Sequence, residues 1–302
     1  MDNAKPVFAL VLAVALALAG LLGYRAWLAP NLRIEEVLGG QMRKAQIAAQ
    51  MRLDLALSVE AEKNALLTEE PEAARTFARR STEAARAVEA GRAALEELIA
   101  RNALPEQRRF LDDFDRAWSE VRQIDSELLD MAVQKTNAQA ARLSRTEGMQ
   151  GFDRLAASLE KALALEAGKP QAGAFTAACF TALAGAARML ALQAPHIEEA
   201  SDSGMDIIET QMRQSAFATR QALIQARAMA DGEAAALVDE AVRAFEAFEV
   251  LNARIVTLSR VNSDVKSLAL SMERKRLAAA ACEAALAGLQ HTINERLAKA
   301  TR

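Results

Sequence analysis

The sequence predicts an all-α protein: an N-terminal transmembrane helix, then two antiparallel up-down-up-down four-helix bundles, with end-to-end stacking as one arrangement. Three observations predict it. Ala, Leu, Glu and Arg dominate the 302 residues, while aromatics reach 4% and Gly and Pro number 13 and 6; long helices have that composition and sheets do not. The stretches between the prolines carry a helical beat of apolar residues. The chain opens on an uncharged run from Pro6 to Tyr24. The domains read as 1–29, an anchor or signal segment; 30–168, a first bundle; and 169–302, a second, diverged one.

The opening segment, MDNAKPVFALVLAVALALAGLLGYRAWLAP, is long enough at 1.5 Å per residue to cross about 30 Å of hydrocarbon. Tyr24, Arg25 and Trp27 suit the interface. Ala17-Leu18-Ala19 also fits a small-x-small cleavage site, so an uncleaved anchor and a cleaved signal peptide both stay open. Either one exports the residues after about 30. Arg25 and Arg33 count against that orientation on the positive-inside rule. No second apolar run of spanning length is expected downstream.

Proline fits the first turn of a helix and is excluded from its interior. The first helix is therefore expected from about Asn31 to Thr68, roughly 57 Å of rod. Thr68 or Glu70 caps the second, with Pro71 in its first turn. The second ends near Asn102, and Pro105 starts the third. There Leu111, Phe114, Trp118, Val121, Leu128 and Ala132 step by threes and fours, with Asp125 in the one polar slot. Phe110, Ala117, Ile124, Met131 and Ala138 widen the stripe to bundle width. A turn is expected at LSRTEGMQG, Leu143 to Gly151, before a fourth helix carrying Phe152, Leu155, Leu159, Leu163 and Leu165.

The second half repeats the first. A shift of 127 residues lays Phe245 on Trp118, Leu251 on Ile124, Ile255 on Leu128 and Leu258 on Met131. A different shift lays LALQ at Leu190 on LALS at Leu55, and the break at Ser201 to Gly204 on Pro71. Residues 167–194 also fit one long helix kinked at Pro170.

Chemistry is sparse. The net charge of -3 comes with no basic block, so no nucleic-acid partner is expected. There is no phosphate loop, Cys/His cluster or GxSxG, so no enzyme, cofactor or metal is expected. Cys179 and Cys282 read as small helix-packing residues. His196 and His291 carry no haem-attachment motif. Asn64, Asn137 and Asn262 fit capping near bundle ends. Arg52 and Asp125 interrupt apolar stripes about 20 residues into parallel helices. They are the candidate ligand site: an ion pair fixing register, or a vacant pair receiving a small carboxylate. The bland alternative leaves Arg52 snorkelling to water.

Three stretches carry a resemblance: EKNALLTEEPEAA at Glu62–Ala74, LDDFDRAWSEVRQIDSELLDMA at Leu111–Ala132, and TNAQAARLS at Thr136–Ser144. With the N-terminal span running into helix one, they resemble the four-helix-bundle sensor domain of methyl-accepting chemotaxis proteins. Two bundles in tandem are also similar to bimodular helical sensor domains. The resemblance implies an extracytoplasmic module of the bacterial inner membrane that dimerises and binds small organic or amino acids through bundle arginines. Receptors of this kind carry a second span and a cytoplasmic coiled coil, and this sequence shows neither. The expected function is therefore a membrane-anchored sensory module that signals through a membrane receptor or kinase partner. The alternative is a scaffolding bundle that holds partners near the membrane.

Overall fold

The computed structural model describes Tyr24, residues 38–101 and residues 104–300. The expected membrane segment, Tyr24 apart, lies outside the described residues, as does the start of the first helix. The described residues are helical and contain no strand. The elements are α1 (38–67), α2 (Pro71–Arg101), α3 (Pro105–Gln134), α4 (Thr136–Leu143), a π-helical segment Ser144–Gly148 and α5 (Met149–Glu166). They continue with α6 (Ala172–Glu198), α7 (Asp202–Met229), α8 (Gly232–Val261), α9 (Ser263–Leu270), a second π segment Ser271–Lys275 and α10 (Arg276–Ala300). Pro71 and Pro105 open helices, each followed by a first-turn glutamate, Glu72 or Glu106, that complements the helix dipole. Pro195 instead sits inside the last turn of α6, at the loss of the one ladder bond its missing N–H would have made.

The repeat is written into the element boundaries. α3 starts at Pro105 and α8 at Gly232; α4 starts at Thr136 and α9 at Ser263; the π segments start at Ser144 and Ser271. Each pair is 127 apart. The hinge before α4 is Lys135 (φ 51) and that before α9 is Asn262 (φ 57), both left-handed. For the first two helices the shift is 131, from Pro71 to Asp202. Buried Met51, Leu55, Ala85 and Val88 then fall on buried Ala182, Ala186, Ala216 and Thr219. The LALS/LALQ match is one helical turn out: Leu55 corresponds to Ala186.

The expected turn at Leu143 to Gly151 is not a turn. The backbone stays helical from Thr136 to Glu166, widened into π geometry over Ser144–Gly148. The glycines serve close packing instead. A Cβ on Gly148 would lie 3.3 Å from Gln193 Oε1, and one on Gly151 would lie 3.3 Å from Phe248 Cδ2. The break comes earlier, at Lys135.

The contacts divide the chain into two compact units that are not consecutive in sequence. The first unit takes the chain up to Glu60, Arg80–Arg122 and Arg276–Arg302; the second takes Ala61–Arg79 and Gln123–Lys275. The sequence-based division at residues 168 and 169 groups neighbouring helices, whereas the units group helices by which core they close. α5 packs with α6–α8 in the second unit, and α10 packs with α1–α3 in the first.

The first unit buries Met51, Leu55, Val88, Leu95, Phe114 and Trp118 against Cys282, Leu286 and Ile293 of α10. The core of the second unit draws Leu155 and Leu159 from α5, Phe175 and Met189 from α6, Leu223 from α7, and Phe245 and Phe248 from α8. Among the described residues, α6 is the helix long and apolar enough to cross a membrane, contrary to the expectation of none downstream. Its apolar face is spent on this core, where Phe175, Ala178, Cys179, Ala182 and Ala186 are buried.

Within the second unit the hinges lock together. Thr136 N donates to Ser263 Oγ (3.1 Å) and Ser263 N to Thr136 Oγ1 (3.2 Å). Asn137 N donates to Asp264 Oδ2 (2.8 Å) and Asp264 N to Asn137 Oδ1 (3.3 Å). The first N–H groups of α4 and α9, which have no partner inside their own helices, are thus capped by the opposite segment. Asn137 also donates to Asn262 Oδ1 (2.8 Å) and to the Ile197 carbonyl (2.7 Å). Lys135 Nζ reaches the Leu66 carbonyl (2.7 Å) in the last turn of α1.

Candidate functional site

The two sequence-derived candidates have separate partners. Arg52, in the first unit, donates from Nε to Glu283 Oε1 (2.8 Å) and from Nη1 to Gln290 Oε1 (2.7 Å) on α10. Its side chain keeps 38% of its exposure, so the pair is a rim contact of small energetic worth. Asp125, in the second unit, is buried against Lys275, whose Nζ also lies 2.9 Å from Glu62 Oε2. All three side chains are at most 2% exposed. Sequence reasoning missed Lys275 because SMERK reads as a surface run. The signal was there: Ser271, Lys275, Ala278 and Cys282 step by fours and threes, and all four are buried.

The same positions in the other copy are neutral. Glu62 corresponds to Gln193, Asp125 to Asn252 and Lys275 to Gly148. Gln193 Nε2 donates to Asn252 Oδ1 (2.8 Å), and Ser144 Oγ donates to Gln193 Oε1 (2.7 Å). Gly148 leaves room for that amide, where Lys275 fills the space with an ammonium.

Asn252 forms part of the wall of a cleft of ≈ 200 Å³ in the second unit, lined from α6, α7 and α8. On α7, Glu209, Met212, Arg213, Ala216 and Arg220 line it, and on α8, Glu249, Asn252, Ala253 and Val256. Steps of three and four put each set on one helix face. Met189 of α6 completes the lining. The side chains of Arg213 and Arg220 are 67% and 55% exposed, and each lies 3.6 Å from a carboxylate, Glu209 or Glu249. That distance is too long for a hydrogen bond; Arg213 instead donates from Nη2 to Thr210 Oγ1 (2.8 Å), and both guanidinium groups keep exposed faces able to meet a ligand.

The two carboxylates differ. Burial raises the pKa of Glu249, Arg220 opposes the rise, and Glu246 adds to it. Burial works the same way on Glu209, but hydrogen bonds from Arg260 and His196 outweigh it and the pKa is lowered. Arg260 Nε is 2.6 Å and His196 Nε2 3.1 Å from Glu209 Oε1. His196 is buried, with Nδ1 2.8 Å from Ser259 Oγ, and so acts as a link in this network; His291 is exposed.

Cys179 and Cys282 are buried, free thiols whose pKa values burial pushes up to about 11 and about 12, so they are inert at neutral pH. Among the described residues, no group of three or more His, Cys, Asp or Glu is placed to hold a metal. No protein-family model matches the chain, and no curated protein matches it.

Proposed function

We propose that the chain is a membrane-anchored, extracytoplasmic ligand-sensing module, with the α6–α8 cleft as its ligand site. The observation that carries this reading is the cleft itself: two largely exposed arginines over an apolar floor, joined through Asn252 and Gln193 to Ser144 at the start of a π segment. Guanidinium forks match carboxylates, and the resemblance to chemoreceptor sensor domains implies small organic acids. The N-terminal apolar run supports the anchor and the bacterial inner membrane as location. A homodimer and a receptor or kinase partner belong to the same reading.

The test is a thermal-shift screen of small carboxylates, with Arg220→Gln as control. A ligand held only by the folded state raises Tm. The reading expects at least one acid to do so, and less in the variant. If no acid shifts Tm, the reading falls. The scaffolding alternative draws on Phe180, Phe217 and Ile224, apolar side chains more than 60% exposed. It predicts co-purification with a membrane protein that survives loss of the two cleft arginines.

A further inference from the structure

Two residues that line the cleft differ in kind from their counterparts in the first copy of the repeat. Met189 and Met212 stand where the first copy has Ser58 and Ser81. The serines bind each other closely: Ser58 Oγ donates to the Ser81 carbonyl (3.1 Å), and Ser81 Oγ to the Ser58 carbonyl (2.9 Å). The methionines, 2% and 3% exposed, give the cleft a thioether lining. Asn252 Nδ2 lies 3.7 Å from Met212 Sδ and fixes that sulfur in place.

Size and chemistry narrow the occupant. An apolar cavity of about 150 Å³ takes benzene, so ≈ 200 Å³ holds one six-membered ring with a carboxylate beside it. Thioethers favour ring edges over aliphatic surface. A guanidinium serves either a carboxylate fork or a ring face. Resting on the ligand-sensing reading above, we infer that the cleft is selective for aromatic monocarboxylates, with Met189 and Met212 as the specificity-determining residues and Arg213 and Arg220 as the carboxylate contacts.

Titration calorimetry on the full chain with benzoate, cyclohexanecarboxylate and propionate tests this. Benzoate is expected to bind at least about threefold tighter than the saturated ring, as thioether–ring contacts imply. Met189→Leu/Met212→Leu keeps the volume and so the fold, and is expected to erase that preference while binding persists. Arg213→Gln/Arg220→Gln is expected to weaken all three acids. Equal or tighter binding of cyclohexanecarboxylate overturns the inference and leaves the ligand-sensing reading standing, as does a preference unchanged in the leucine variant. Absence of binding by all three acids overturns both.

Discussion

Two polar nodes occupy equivalent places in the two copies, and they solve one packing problem differently. Around Lys275 the chain buries three charges; around Gly148 it buries two amides and a hydroxyl. The charged node is buried, each of its three side chains at most 2% exposed. The neutral node borders the cleft through Asn252. Buried ion clusters contribute little net stability but are costly to half-break, so the charged copy is rigidly specified. Amides carry no net charge, so rearranging them costs less than separating buried ions.

That contrast can be broken by experiment. The largest effect is expected from Lys275→Met, which leaves Glu62 and Asp125 buried without their ammonium and costs about 3–5 kcal/mol, measurable by urea unfolding. The triple variant Glu62→Gln/Asp125→Asn/Lys275→Gly copies the neutral node and is expected to recover much of that loss. A triple variant as unstable as Lys275→Met would show that the two nodes are not interchangeable. Next in size is Ser58→Met/Ser81→Met. It forces methionines where the first unit packs closely, and overpacking costs about 1–3 kcal/mol. A variant as stable as the parent would refute close packing at the Ser58/Ser81 seam.

A smaller effect is expected at Glu249. Burial raises its pKa above the ordinary 4.5, so the folded state holds the proton more tightly than the unfolded chain. Stability is then lost as pH rises from about 4.3 through the raised value. Glu249→Gln removes that loss, and its Tm advantage over the parent is expected to be absent near pH 4 and to open toward neutrality. A gap that narrows with rising pH would reverse the sign of the argument. The least change is expected from cutting a protease site placed at Ala167–Gln171. Each unit draws helices from both sides of that loop, so the two pieces should co-elute as the intact chain does. Separated pieces would restore the division at residue 168.

Much of the fold was legible where local rules decide. Pro71 and Pro105 open helices, and Leu111, Phe114, Trp118, Val121, Leu128 and Ala132 are all buried, as their spacing required. The 127-residue repeat was legible in the third helices. What stayed hidden depends on tertiary contacts. Gly148 and Gly151 looked like turn residues because spacing cannot show that a glutamine and a phenylalanine press against them. Lys135 gave no warning of a left-handed hinge, since Asn or Gly is the usual occupant. Of the site residues, Asp125 stood out as polar in an apolar stripe and is buried, but its partners Glu62 and Lys275 come from distant helices. The cleft could be seen only once the 131-residue register set Met189 on Ser58 and Met212 on Ser81.

The placement of α10 has a bearing on how the molecule comes to be made. Every residue of the second unit precedes Arg276, and the first unit has only three of its helical stretches until α10 (Arg276–Ala300) appears. Domains ordinarily mature in order of synthesis, N-terminal first. Here the order is reversed: the first unit's core cannot close before α10 is made, whereas all of the second unit precedes it.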